Sequence, residues 1–108
     1  MTNLSRRQKI EAMLMEEPKD GFLRYSLAME MNSAGESEGA LRLFLELCHE
    51  EVPHVPAFFR SAQILAELDQ IDSAREFLRN GIEAARQQGD QHAAAEMSEM
   101  LSDLGQLG

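Results

Sequence analysis

The sequence holds 108 residues, 44% hydrophobic and 27% charged, with no long apolar run, a composition that fits one small globular domain and excludes a membrane span. Ten Lys and Arg stand against 19 Asp and Glu, and the resulting charge of −9 repels phosphate backbones and anionic lipid, so neither nucleic acid nor a membrane is an expected ligand. A single cysteine, Cys48, cannot close an internal disulfide, and residues 10–15 are too short and too polar, at Glu11, for a signal peptide, so a reducing cytoplasmic setting is expected.

Residues 4–17 read as a helix, because Leu4, Ile10, Met13 and Leu14 recur near helical spacing, with Ser5 or Asn3 as cap and Pro18 as stop. Asp20 offers the cap of a second helix reaching about Ala34, and Gly35 follows as the residue best able to turn left-handed past a helix end. That second helix is apolar most of the way round, with Leu23, Leu27 and Met31 on one stripe and Phe22, Tyr25 and Met29 on another, so it must be flanked on more than one side. A third helix, residues 37–50, turns Ala40, Leu41, Phe44, Leu45, Leu47 and Cys48 inward and Glu38, Arg42 and Glu46 to water.

The joint from Val52 to Pro56 is rich in breakers, and a fourth helix is expected over 57–68 with Phe58, Ala62, Leu65 and Leu68 as its packing stripe. Asp69 stands where Gly35 stood, and Asp tolerates a left-handed turn better than most residues. The fifth helix, 72–87, buries Ala74, Phe77, Leu78, Ile82 and Ala85, and Gly81 in its middle points to a close helix approach. Gly89 stops it, Asp90 caps the next, and residues 91–104 form a last helix carrying Ala94, Met97, Leu101 and Leu104 on one face.

Residues 21–54 lie over 55–88 at a fixed period of 34: Tyr25 over Phe59, Ala28 over Ala62, Ala40 over Ala74 and Phe44 over Leu78. In period and in these paired residues the chain resembles the tetratricopeptide repeat family, whose unit is a helix-turn-helix with a small residue at the packing point of each helix. Ala28, Ala62, Ala40 and Ala74 match those small residues, Phe44 and Leu78 the large apolar residue that follows, and Phe58 an aromatic of the first helix that Arg24 replaces in the first repeat. The resemblance implies an all-α, right-handed stack of helical hairpins in one domain over residues 1–108. It comprises an N-terminal helix (4–17), two repeats (21–54 and 55–88) and a C-terminal capping helix (90–105), about six antiparallel helices in all. A six-helix bundle with halves alike by chance is the alternative reading.

The resemblance further implies a concave groove lined by Phe22, Tyr25, Met29, Asn32 and Ser33, and one repeat on by Pro56, Phe59, Gln63, Ala66 and Glu67, continued by Met97 and Met100. These aromatics, with adaptable Met29, suit a protein or peptide segment with apolar anchors, while Glu30, Glu67 and the net charge favour added Lys or Arg. Equally, Tyr25 and Phe59 are what core residues of a buried helix look like. The two-carboxylate clamp of some family members is not matched, since these positions hold Tyr25, Met29, Phe59 and Gln63. His49, His54 and Cys48 are the one hint of a metal, but they span a proline joint and lack a second cysteine, so no metal and no cofactor is expected. Glu16-Glu17 and Glu50-Glu51 are carboxylate pairs at helix ends in water, and no phosphate loop or nucleophile elbow occurs, so the chain reads as a non-catalytic scaffold or adaptor and not an enzyme. Self-association through the end helices, up to a homodimer, is the competing function.

Overall fold

The computed structural model describes residues 4–105 of the chain, so Asn3, the other candidate cap of the first helix, lies outside the described residues. Six α-helices follow in order among them: α1 (Arg6–Glu16), α2 (Gly21–Ser33), α3 (Ser37–Cys48), α4 (Val55–Glu67), α5 (Ile71–Gln87) and α6 (Gln91–Gly105). Each packs on the next, and α4 also touches α6, so the helices form a stack 52 Å long and 19 Å across its thinnest direction.

Local chemistry explains the bounds. Ser5 and Gln8 close a capping box at α1, each side chain bonding the other's backbone at 3.1 and 2.9 Å. The Asp20 carboxylate accepts from the Leu23 N–H at 3.0 Å, and Asp90 does the same for Ala93 at 3.0 Å. Three helices end alike. Gly35, Asp69 and Gly89 take φ of 84°, 62° and 75°, and the N–H of the next residue reaches back five positions, Glu36 to Met31, Gln70 to Leu65 and Asp90 to Ala85, at 2.8–2.9 Å. This is the Schellman closure, normally left to glycine, with Asp69 the one side chain among the described residues held in the left-handed region.

The fourth helix begins two residues earlier than its sequence indicates, because Pro56 falls in its first turn, where a missing N–H costs nothing and the fixed φ is already helical. The third ends at Cys48, short of Glu50, and His54 N–H then bonds Leu47 O at 3.0 Å to fold the joint back. Leu68, expected in the packing stripe of α4, is 47% exposed, since it caps the helix just before the left-handed turn and swings away from the core.

The core runs along the stack. Ala28, Ala40, Ala62 and Ala74 are all fully buried with Phe44 and Leu78, so the small residues sit where neighbouring helices come closest. Gly81 is a tight point: a Cβ there would stand 2.5 Å from Met97 Sδ and 2.6 Å from Phe58 Cβ. Phe58 fills this space and meets Phe77 with ring centroids 6.5 Å apart. One repeat earlier Arg24 holds the corresponding place and ion-pairs with Glu50, while its Nε stays buried without a partner.

Candidate functional site

The alternate helices α2, α4 and α6 share one side of the stack, and between them lies a cleft of about 240 Å³. Its apolar lining comes from Tyr25 on α2, Val55, Pro56 and Phe59 on α4, and Ala93 and Met97 on α6, with Arg60, Asp90, His92 and Glu96 as its polar members. A second hollow continues from it along α4 and α6, sharing Phe59 and Glu96 and adding Gln63, Glu99, Met100 and Asp103. The α6 wall is therefore acidic, and the α4 wall aromatic and basic. Glu96 pairs with His92 at 3.0 Å, whereas Glu99 and Asp103 enter no ion pair among the described residues.

Tyr25 does not stack over Phe59. Its ring meets Phe44 edge-on at 5.5 Å and His54 at 5.0 Å, and its hydroxyl accepts from Arg60 Nε at 3.1 Å. Arg60 in turn donates to Gln63 Oε1 at 2.9 Å and lies 5.8 Å from the centre of the Phe59 ring. The two aromatics are thus joined through a guanidinium and not through each other, and both are half-buried, with one edge in the core and one in the cleft.

The remaining sequence-derived positions spread more widely. Phe22 is 71% exposed and outside the cleft lining. Met29 and Ala66 are half-buried against the core, Asn32 accepts from Ser37 Oγ at 3.3 Å across the α2–α3 turn, and Ser33 and Glu67 are exposed at helix ends. Of the repeat-packing residues, Ala28, Ala40, Phe44, Ala62, Ala74 and Leu78 have no exposed surface. Arg60 is a cleft residue that the repeat register does not indicate. The sequence signal for Arg60 is that it is the one basic side chain of α4, set among Phe58, Phe59 and Ala62.

His54, half-buried at the α3–α4 joint, has its pKa lowered, first by burial and then by the nearby Arg24 cation. Cys48 is buried, its thiol pushed up to about 11 by burial, against which a contact with Ser61 Oγ at 3.9 Å works weakly. His49 Nδ1 lies 2.7 Å from Leu45 O, so Cys48, His49 and His54 face three different partners and form no common ligand set. No group of three potential metal ligands comes together among the described residues.

Against solved structures, the chain is similar to the solution structure of a tetratricopeptide repeat domain protein from Salinibacter ruber, at 31% identity over 84% of this chain and 92% of that one, with a TM-score of 0.80. The chain belongs to the tetratricopeptide repeat family. No protein-family model and no curated protein matches its sequence. In this tetratricopeptide repeat protein the hairpins α2–α3 and α4–α5 form the body of the stack, α1 and α6 close its two ends, and no helix among the described residues is long and apolar enough to cross a membrane.

Proposed function

We propose that this protein is a non-catalytic cytoplasmic adaptor that takes a protein segment into the cleft between α2, α4 and α6. Its repeats span residues 21–54 and 55–88. The observation that carries this reading is the pairing of an apolar strip, Phe59 with Pro56, Ala93 and Met97, with an acidic wall in which Glu99 and Asp103 enter no ion pair among the described residues. Such a surface fits a helix or extended segment whose apolar anchors alternate with Lys or Arg. Arg60, held by Tyr25 and Gln63, stiffens the aromatic wall so that little freedom is lost when a ligand docks. Met100, half-buried beside Phe59, lets the second hollow adapt to side chains of different shape.

Selection from a display library of random peptides tests it. Segments enriched on the wild-type protein should combine apolar residues with Lys or Arg, and Phe59→Ala should weaken them by about 2 kcal/mol, roughly thirtyfold, with the helices intact. Glu99→Lys with Asp103→Lys should abolish the preference for basic segments. Enrichment of acidic segments, or full affinity in Phe59→Ala, would contradict the proposal.

A further inference from the structure

The two ends of the stack differ. At the α6 end the outer face carries exposed Gln91, Ala95 and Ser98, the polar or small surface expected of a cap. At the α1 end Met13 is 50% and Met15 85% exposed, and Ile10 is the one buried residue of α1. None of α1 lines the cleft, so its outer face is separate from the proposed ligand site.

Opposite Ile10, the outer face of α1 presents Ser5, Lys9, Ala12 and Glu16, at successive steps of four, three and four residues, all exposed. This stripe is self-complementary. Rotated by a two-fold axis at Ala12, it sets the small Ala12 against its own copy, where two helices can approach closely, and brings Lys9 of each chain to Glu16 of the other. Neither Lys9 nor Glu16 enters an ion pair within the chain among the described residues. Met13 and Met15 flank the stripe on its two sides and would close over the contact, removing the two exposed methionines of α1 from water.

We propose that a second copy of this chain packs antiparallel on α1 about a two-fold axis at Ala12, with Lys9 and Glu16 pairing reciprocally between copies. The contact is one short helix on another, smaller than a standard interface, so the dimer is weak and concentration-dependent. Because the interface is isologous it closes at two copies and leaves both clefts free.

Sedimentation of the full chain over a range of concentrations tests this, with circular dichroism to show that each variant remains folded. The wild type should show a reversible monomer–dimer equilibrium. Lys9→Glu and Glu16→Lys should each weaken it at least about tenfold, since each places like charges in contact across the axis. An equimolar mixture of the two variants should recover dimer, because each copy then supplies the charge the other lacks. Mild oxidation of Ala12→Cys should give a covalent dimer much faster than oxidation of Ser98→Cys on the α6 cap, and buried Cys48 should not compete. A wild type that stays monomeric at millimolar concentration overturns the proposal. So does a dimer indifferent to both charge reversals, a mixture that does not recover, or equal crosslinking at Ala12 and Ser98.

Discussion

Gly81 is the residue at which packing and propensity disagree most. Alanine is the better helix former by up to about 1 kcal/mol, yet its methyl group would meet Phe58 Cβ, which is fixed to the α4 backbone, and the Met97 sulfur, which can move. Gly81→Ala is therefore expected to destabilise the chain by about 1–2 kcal/mol in urea unfolding, and a more stable variant would show that α5 and α4 are not in contact there. Asp69→Gly should act the other way, raising stability by up to about 1 kcal/mol, because it relieves a side chain at φ 62°. His54 gives a pH signature. Its folded pKa is lowered, so its contribution is present above the ordinary histidine value of about 6.5 and is lost as pH falls through the folded value. The melting temperature should fall on acidification below neutrality, and His54→Gln should flatten that part of the profile; an unchanged slope would show that His54 is not buried against Arg24. Cys48, with its thiol pushed up to about 11, has the opposite sense: its contribution is full below the unfolded thiol value and is lost as pH rises toward 11. It should resist alkylation at pH 8 until the protein is unfolded.

At the scale of the helix, α6 has a defined task. It lays Ala94, Met97 and Leu104 on the stack, and Arg75 Nη2 donates to Leu104 O at 2.8 Å, pinning its last turn. Removing residues 90–108 would take Met97 off Gly81 and uncover the face of α5 that α6 packs on, so the melting temperature should drop sharply and the cooperative transition broaden; an unchanged melt would show that α6 is not part of the core. Helices and their stops were legible in the sequence wherever a single residue controls the backbone: Asp20, Gly35, Asp69, Gly89 and Asp90 each behave as their chemistry dictates. The start of α4 was not, because Pro56 reads equally as a breaker and as a first-turn residue, and only the packing of Val55 and Ala57 decides which.

For the molecule as a whole, the 34-residue period made the stack readable, since paired alanines report helix contacts that recur at fixed distance. The cleft was readable in part. Tyr25 and Phe59 face it, but the contact between them passes through Arg60, and a guanidinium that bonds a tyrosine hydroxyl, bonds a glutamine and covers a ring has no sequence pattern of its own. The same contacts make Tyr25 a poor probe of binding, because removing it also strips partners from Phe44, His54 and Arg60. Phe59 and the α6 carboxylates are cleaner. Association with a basic segment should slow as salt rises, since Glu99 and Asp103 act at a distance, while release governed by Phe59 should change little.

On the reading proposed above, ligand enters between α2, α4 and α6. Backbone amide chemical-shift mapping during titration with a peptide selected on the wild-type protein tests it most directly. The shifts should concentrate at Tyr25, Phe59, Gln63, Met97 and Met100, with Arg42, Glu46, Arg79 and Glu83 on the outer faces of α3 and α5 unmoved. Shifts confined to α3 and α5, with the cleft residues silent, would contradict it.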